Sequence, residues 1–283
     1  MFPRTTVGGL SLSRMIIGTN WFLGFSHTSV AKDKLITQHV DRKTLAGILE
    51  VFLAAGVDTM MGLITRPLLQ DAIKDAQDRT GKKLILVSTP GFPTGLDFPT
   101  KGWDIFECEK ILDAEHKAGS HFCFPHTSCT DNILDKCTRE LRHLPALCRM
   151  IRDRGMIPGL STHNPESIVY SDERNYDVAT YISIYNAMGF LMPIEVDWVA
   201  HIIRNAKKPV MTIKPMAAGH IRPFQAFNFV WNTLRDIDMV TVGTLTADEA
   251  KECIELSLSI LERRKADVDL QGTRSKASVK PVG

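Results

Sequence analysis

Three histidines, His27, His126 and His163, each follow a short apolar segment of the sequence. Neutral imidazoles that meet from different loops can bind a divalent metal such as zinc, manganese or nickel (Zn, Mn or Ni) and leave positions open for water and substrate. Imidazoles also act as general acids and bases, because their ordinary pKa lies close to neutral pH. Because these three histidines lie far apart in the sequence, their spacing cannot show whether they meet at one site. A metal centre, a metal-free histidine site and ordinary loop positions therefore all remain open.

Lys214 and Asp58 are the charged residues that we expect beside these histidines. Lys214 follows the apolar segment 209–213, and Asp58 falls within the segment 56–61. A lysine at the end of a buried strand needs an acidic partner or has a lowered pKa. Three roles stay open for Lys214: an ion pair with Asp58, a clamp for an anionic group of the substrate, and a nucleophilic amine that forms a Schiff base. We predict Asp58, His126 and Lys214 as the catalytic residues.

Four further residues are predicted to contact the substrate, because they fall in or beside loops that leave the same strands. They are Asn20, Trp21, Arg66 and Asn186. The indole of Trp21 could stack on a sugar or another ring, and Arg66 could meet an acidic group of the substrate. Loop packing for Trp21 and a surface position for Arg66 are the alternatives.

Eight short apolar segments alternate with longer amphipathic segments, which is typical of βα units and a parallel sheet. The predicted strands lie within residues 14–22, 56–61, 84–89, 120–126, 155–163, 178–186, 209–215 and 239–243. A length of 283 residues suits one (β/α)8 TIM barrel, an α/β fold of roughly 250 residues. The rival, an open doubly wound sheet, lacks its Gly-x-Gly-x-x-Gly turn. In a barrel the carboxyl ends of the strands share one rim, so the residues above should meet there.

The chain is predicted to be a single barrel domain over residues 1–264, followed by a polar, flexible tail over residues 265–283. A net charge of +2 gives no field that would favour nucleic acid or a membrane surface, and no apolar run approaches a membrane span. The six cysteines include no C-x-x-C pair, so we expect free thiols in a cytoplasmic protein. A small-molecule substrate is expected as partner, and self-association into a homo-oligomer stays open.

Several segments together resemble the aldo-keto reductases. They are residues 8–19 at the entry to the first strand, 55–59 in the second strand, 124–126 in the fourth, 159–161 in the fifth, 185–186 in the sixth, 214–219 in the seventh, and 242–249 at the eighth. The resemblance covers almost the whole predicted barrel, although each segment alone is a weak match. It implies the same (β/α)8 fold and an active site at the carboxyl ends of the strands.

The resemblance also implies a reaction centre of Asp, Tyr, Lys and His. Asp58 and His126 match the Asp and the His, whereas Leu63 stands at the position of the Tyr. Ser88 and Thr89 end the third strand, where the family has its Lys. In the family the Tyr hydroxyl protonates the carbonyl oxygen and the Lys lowers the pKa of that hydroxyl. Without both residues, hydride transfer lacks its general acid.

The residues that would hold a nicotinamide cofactor differ as well. Ser161 is followed by Thr162 where the family has an Asn, and Ile182 stands where the family has a Gln. Residues 244–247, after the eighth strand, lack the basic side chains that hold the 2′-phosphate of NADP. The sequence therefore disfavours NADP as cofactor.

These observations favour an enzyme that acts on a small polar carbonyl or sugar-like compound. Metal- or histidine-assisted proton transfer, elimination or hydrolysis would then replace hydride transfer. His126 would be an acid, a base or a metal ligand, His27 and His163 metal ligands, and Lys214 and Asp58 the charged partners. The first alternative is an NAD(P)H-dependent oxidoreductase in which His126 or Lys214 supplies the proton. The second is a non-catalytic barrel that serves as a binding subunit.

Overall fold

The strands of the computed structural model, which describes residues 1–269, 272 and 274–279, form two hairpins and one large parallel sheet. In chain order they are β1 (Arg4–Val7), β2 (Leu10–Ser13), β3 (Met15–Gly18), β4 (Thr59–Gly62), β5 (Ile85–Ser88), β6 (Phe122–Cys123), β7 (Leu134–Asp135), β8 (Glu140–Leu141), β9 (Ile157–Pro158), β10 (Leu160–Ser161), β11 (Tyr181–Ile184), β12 (Val210–Ile213) and β13 (Met239–Val242). The order in the large sheet is β10-β11-β12-β13-β3-β4-β5-β6-β9, and every pair in it is parallel.

The large sheet closes into a barrel through residues 157–161, because β9 and β10 are the two halves of one strand. Phe122 of β6 pairs with Ile157, and Leu160 pairs with Tyr181 of β11. Gly159 joins the halves beside the ring of Phe124, where a Cβ atom would lie 2.1 Å from the nearest ring carbon. The sheet therefore has eight strand positions, each matching one predicted strand, and the predicted (β/α)8 barrel is confirmed.

Helices surround the barrel. The α-helices are α1 (Val30–His39), α2 (Arg42–Ala54), α3 (Pro67–Thr80), α4 (Phe98–Lys101), α5 (Ile105–Lys117), α6 (Thr127–Ile133), α7 (Leu144–Asp153), α8 (Glu166–Arg174), α9 (Val196–Asn205), α10 (Pro223–Thr233) and α11 (Ala247–Leu261). Short 3-10 helices span Trp21–Leu23, Ala217–Gly219 and Arg274–Val279. None of these described helices is long and apolar enough to cross a membrane.

Local sequence explains several helix boundaries. Pro67 begins α3, and Gly81 ends it in the left-handed conformation that glycine adopts without strain. Thr246 caps the amino terminus of α11: its side chain accepts from the Glu249 amide, while the Glu249 carboxylate accepts from the Leu245 amide. Between α6 and α7 the chain forms the short hairpin of β7 and β8.

Apolar side chains fill two layers. Val7, Leu12, Ile16, Phe122 and Met211 belong to the smaller cluster inside the barrel. A larger cluster lies between the strands and the surrounding helices, and it takes in the buried face of α2. Val7 and Leu12 come from the hairpin of β1 and β2, so this hairpin covers the amino-terminal end of the barrel. Its presence leaves the opposite end of the barrel for a site.

The structure describes part of the predicted tail. Residues 265–269, 272 and 274–279 are described, and residues 270, 271, 273 and 280–283 lie outside the described residues. The flexibility of residues 265–283 therefore stays a prediction.

Candidate active site at the barrel mouth

A cavity of about 500 Å³ opens at the carboxyl ends of the barrel strands. Its wall contains side chains that follow different strands, among them Asn20, Trp21, His27, Thr89, His126, Ser161, His163 and Lys214. The three histidines and the lysine that the sequence singles out therefore lie around one space. This is the arrangement expected when parallel strands end at one rim.

The structure gives no support to a metal centre at the three histidines. Among residues 1–269, 272 and 274–279, no group of three or more His, Cys, Asp or Glu side chains is placed to hold one metal ion. The role of His27, His126 and His163 as joint metal ligands therefore stays a prediction. The rings share the cavity wall, but coordination needs their nitrogens at one point, at bond lengths near 2 Å.

Lys214 follows β12 and lies partly buried in the cavity wall. Its Nζ atom is 3.4 Å from Nε2 of His27. Within the described part of the chain, no carboxylate lies within ion-pair distance of this ammonium group, because every described salt bridge involves other residues. Burial lowers the pKa of Lys214 to about 8, since the charged form is poorly solvated there.

Asp58 is not at the mouth. It precedes β4, and its carboxylate pairs with Arg4 of the first hairpin at 2.9 Å. The Asp58 amide also donates to the Ser13 hydroxyl of the same hairpin. The predicted catalytic role of Asp58 and its predicted ion pair with Lys214 are therefore wrong, because the residue marks the amino-terminal end of its strand. At the cavity, β4 presents Met61 and Gly62 instead.

His126 caps the amino terminus of α6, and its hydrogen bonds fix its tautomer. The Ser128 amide donates to Nδ1 of His126 at 3.3 Å, and the Ser128 hydroxyl lies 2.8 Å from the same atom. A neutral His126 ring therefore carries its proton on Nε2. Burial and the charge of Lys214 lower the pKa of His126, so the neutral ring predominates near pH 7. His126 can thus donate one hydrogen bond from Nε2.

His27 lies in a loop that Asp33 of α1 holds in place. The Asp33 carboxylate accepts from the Ser26 amide at 2.9 Å and from the Ser26 hydroxyl at 2.5 Å. His27 itself has φ +59°, a left-handed conformation that is uncommon for a residue with a side chain. Asn20 Nδ2 and Lys214 Nζ both lie within 3.5 Å of its Nε2 atom. Because both neighbours are donors, Nε2 is an acceptor and the neutral ring carries its proton on Nδ1.

His163 follows β10 and is the most strongly shifted of the three histidines. Burial, followed by the charge of Lys214, lowers its pKa to about 4. Asp131 of α6 accepts hydrogen bonds from the His163 amide and from the Thr162 hydroxyl, and these bonds hold the backbone at this point. The ring of His163 is therefore a neutral imidazole throughout the physiological pH range.

The four predicted substrate contacts divide evenly. Asn20 and Trp21 line the cavity, as the sequence predicts. Arg66 is the exposed residue before α3, and it does not line the cavity. Asn186 is fully buried and holds the loop after β11, since its side chain donates to the Phe190 carbonyl and accepts from the Met188 and Phe190 amides. The prediction of substrate contact is therefore wrong for Arg66 and Asn186.

The cavity continues along a part of the molecule that sequence reasoning missed. It extends past Ile213 and Met216 to Arg222, which precedes α10, and to Glu249 and Glu252 of α11. Glu249 also belongs to the cap of α11, and the sequence does not predict its position on the cavity. No motif marks these residues, because they reach the cavity from the start of α10 and from α11, which are separate elements of the chain.

The tyrosines and cysteines of the chain do not add a catalytic group to the cavity centre. All four tyrosines are described, and none lines the cavity; the hydroxyl of Tyr185, which follows β11, donates to Thr233 on α10. The six cysteines are free thiols. Cys129 is buried and exchanges hydrogen bonds with the Phe92 backbone, and burial raises the pKa of its thiol. Around Lys214 the site thus offers imidazoles, one amine and neutral polar groups, while Arg222, Glu249 and Glu252 line its far side.

Comparisons with known proteins identify the fold. No family model matches the chain, and no curated protein matches its sequence. A solved structure from Pseudomonas aeruginosa, described as an aldo-keto reductase, superposes with a TM-score of 0.62 at 14% identity and covers 91% of this chain and 96% of its own. The chain has the fold of the aldo-keto reductases.

Two further structures with the aldo-keto reductase fold are similar over nearly the full length. A glycerol dehydrogenase from Gluconobacter oxydans has a TM-score of 0.56 at 12% identity and covers 95% of this chain and 99% of its own. An aldo-keto reductase from Brucella melitensis has a TM-score of 0.55 at 12% identity and covers 96% of this chain and 95% of its own. At such low identity the comparison concerns the fold, and the site must be argued from its own residues.

The residues present do not fit a nicotinamide dinucleotide held in the way that the resemblance implies. Ile182 presents an apolar side chain to the cavity where an amide is expected. Glu249 and Glu252 line the cavity beyond β13, where like charges would repel the phosphates of the cofactor. Arg222 is the one arginine or lysine besides Lys214 among the described lining residues. The aldo-keto reductase fold is therefore retained around a different set of side chains.

Proposed function

We propose that this chain is an enzyme that moves a proton on a small polar carbonyl compound bound at the barrel mouth. The observation that supports the proposal is Lys214, a partly buried amine in the cavity wall that has an imidazole 3.4 Å away and no carboxylate partner among the described residues. A cationic donor beside the carbonyl oxygen withdraws electron density from the carbonyl group, which makes a neighbouring C–H bond more acidic. A neutral imidazole can then accept that proton.

The histidines take different parts in this scheme. His126 carries its proton on Nε2 and donates to the substrate oxygen, because Ser128 occupies its Nδ1 atom. His27 and His163 are neutral and supply lone pairs, so one of them accepts the proton from carbon. Substitution of each residue separately identifies which of the two is the base. No divalent metal is needed in this scheme, because the amine and the imidazoles provide both acid and base.

The cavity suits a small polar substrate. Its volume of about 500 Å³ lies within the range of ordinary small-molecule sites. Asn20, Thr89 and Ser161 offer hydrogen-bonding groups in the wall, and Trp21 offers an aromatic face. Hydroxylated aldehydes and ketones, including short sugars, combine a carbonyl group with the hydroxyls that such a wall would bind.

Deuterium exchange tests the proposal directly. Dihydroxyacetone, glyceraldehyde and pyruvate are incubated with the protein in D2O, and loss of the proton signal next to the carbonyl is followed by NMR. We expect exchange by the native chain and loss of exchange in Lys214→Met, which removes the cationic donor. Lys208→Met is the matched control, because Lys208 is a partly buried lysine outside the cavity whose pKa burial also lowers. Equal exchange by both variants would contradict the proposal.

Carbonyl reduction with a nicotinamide cofactor is a second candidate. Two observations favour it: the similar structures include a glycerol dehydrogenase, and the cavity continues from Lys214 to Arg222. The buried hydroxyls of Thr241 and Thr244 on this side have no hydrogen-bond partner among the described residues. Titration with NADPH and with NADH, followed by nicotinamide fluorescence, distinguishes the candidates. Saturable binding that Arg222→Ala weakens would favour reduction, and its absence together with deuterium exchange would favour proton transfer.

A further inference from the structure

The surroundings of Lys214 differ from those of a lysine that only binds an anionic group of a substrate. Its Nζ atom contacts a neutral imidazole acceptor, and no carboxylate of the described residues holds it as a permanent cation. Asp58, the expected partner, is engaged with Arg4 at the other end of the barrel. An amine with an acceptor at 3.4 Å and no counter-ion can lose a proton to that acceptor. We infer that Lys214 forms a covalent imine with the carbonyl carbon of the substrate, an inference that rests on the proposed function.

The backbone at Lys214 is held in a conformation that a lysine rarely adopts. Its φ angle is +61°, and Pro215 follows it. A left-handed conformation is strained for a residue with a Cβ atom, and it persists where the surrounding structure imposes it. Here β12 fixes one side, and the loop 215–219 fixes the other through the bond from the Ala217 amide to the Lys214 carbonyl. The amine is therefore presented to the cavity by a rigid segment.

His27 supplies the proton transfers that imine formation requires. The Lys214 ammonium first gives a proton to Nε2 of His27, and the neutral amine attacks the carbonyl carbon to form a C–N bond. The carbonyl oxygen takes a proton from the attacking nitrogen and becomes a hydroxyl group. The imidazolium of His27 then protonates this hydroxyl, which leaves as water while the C=N bond forms. The sum is one protonated lysine and one carbonyl compound converted into one protonated imine and one water.

The acidity of Lys214 agrees with this role. Burial lowers its pKa to about 8, so about a tenth of the side chains are uncharged at pH 7. An unperturbed lysine has well under about a thousandth in that form at the same pH. A protonated imine also attracts electrons from the neighbouring carbon more strongly than a neutral carbonyl does. The covalent step would therefore assist the proton transfer proposed above.

Reductive trapping tests the inference. The native chain is incubated briefly with dihydroxyacetone, glyceraldehyde or pyruvate in the presence of sodium cyanoborohydride, which reduces an imine to a stable secondary amine. Peptide mapping by mass spectrometry then locates the adduct. We expect labelling of Lys214 at least about tenfold faster than labelling of Lys208 or of the exposed lysines, because among the described lysines Lys214 alone has a lowered pKa and lines the cavity. His27→Gln should slow the labelling of Lys214 without redirecting it.

Two variants keep the result interpretable. Lys214→Arg should lose the adduct and Lys208→Arg should retain it, with circular dichroism confirming that both are folded. An absence of adduct at residue 214 with all three probes, or labelling spread evenly over the lysines, would overturn the inference. Deuterium exchange without an adduct would refute the imine but would still support the proposed proton transfer. An adduct at Lys214 without any exchange would identify a reactive amine and remove the proposed function.

Discussion

Nζ of Lys214 lies 3.4 Å from Nε2 of His27, although 187 positions separate the two residues in the chain. The contact joins the end of β12 to the loop after β3, and it places a donor against an acceptor at the cavity. It also affects the protonation of the imidazole, since burial and, to a smaller extent, the charge of Lys214 lower the pKa of His27. The function and the covalent step proposed above both depend on this pair.

The labelling rate of Lys214 should depend on pH with a midpoint near its own pKa. Because that pKa is about 8, the neutral amine increases as the pH rises from about 6 to 9 and then levels off. The measurement is the initial rate of reductive trapping at residue 214 as a function of pH. Rates at exposed lysines, measured in the same peptides, should still be rising above pH 9. A common profile for all lysines would contradict a special environment at Lys214.

Removal of the Lys214 amine should stabilise the fold while it abolishes activity. The folded state holds this lysine at a pKa of about 8, below its ordinary value of 10.5, so its charged form is disfavoured on folding. That cost is fully present below pH 8, decreases as the folded-state amine loses its proton, and is absent above about pH 10.5. We expect Lys214→Met to raise the free energy of unfolding at pH 7 by roughly 1–3 kcal/mol. Urea unfolding at pH 7 and pH 10 checks this, and a gain that did not shrink at the higher pH would refute it.

Asp33→Ala should reduce activity through the position of His27. The Asp33 carboxylate holds the loop by accepting two hydrogen bonds from Ser26, so its loss would let His27 leave Lys214. We expect the rate of proton exchange to fall about tenfold or more, because a loosened catalytic group costs orientation. Asp33→Asn retains an acceptor oxygen and should recover part of the rate. The melting temperature should change little in both variants. A lower rate explained entirely by a smaller folded fraction would contradict the role of Asp33 in positioning His27.

Asp58→Asn should leave the chemistry unchanged. The side chain pairs with Arg4 at the end of the barrel opposite to the cavity, and both partners are partly exposed. Partly exposed ion pairs contribute about 0–1 kcal/mol, so the expected loss of stability is small. Exchange and trapping rates of this variant should equal those of the native chain. A rate loss comparable to that of Lys214→Met would place Asp58 in the reaction after all.

Gly159→Ala tests how the barrel closes. The added Cβ atom would lie 2.1 Å from the Phe124 ring, which is a contact that buried atoms cannot make without displacement. We expect a destabilisation of roughly 1–3 kcal/mol or more, as for other overpacked cores. Gly91→Ala is the matched control, since its Cβ atom would meet nothing within 4 Å. Thermal unfolding of the two variants should differ clearly.

Local patterns in the sequence predicted much of the architecture. The alternation of apolar and amphipathic segments predicts eight strands, and β3, β5 and β13 lie within the predicted ranges. The sequence does not predict the hairpin of β1 and β2. Its short alternation of polar and apolar residues is interpreted as the segment that leads into the first barrel strand. Residues that follow the last strand position, such as His126 and Lys214, are placed at the mouth by chain direction alone.

What the sequence could not settle is which end of a strand a residue occupies and where its side chain points. Asp58 and Met61 share one short segment, yet the first lies beside the hairpin and the second lines the cavity. Asn186 follows its strand as predicted, but its amide bonds to the loop 188–190 and not to the cavity. The local hydrophobic pattern of the sequence predicts the order and direction of the strands, and therefore which residues fall near the rim. The register of each strand and the distances between the imidazoles depend on how all eight strands and their helices pack together.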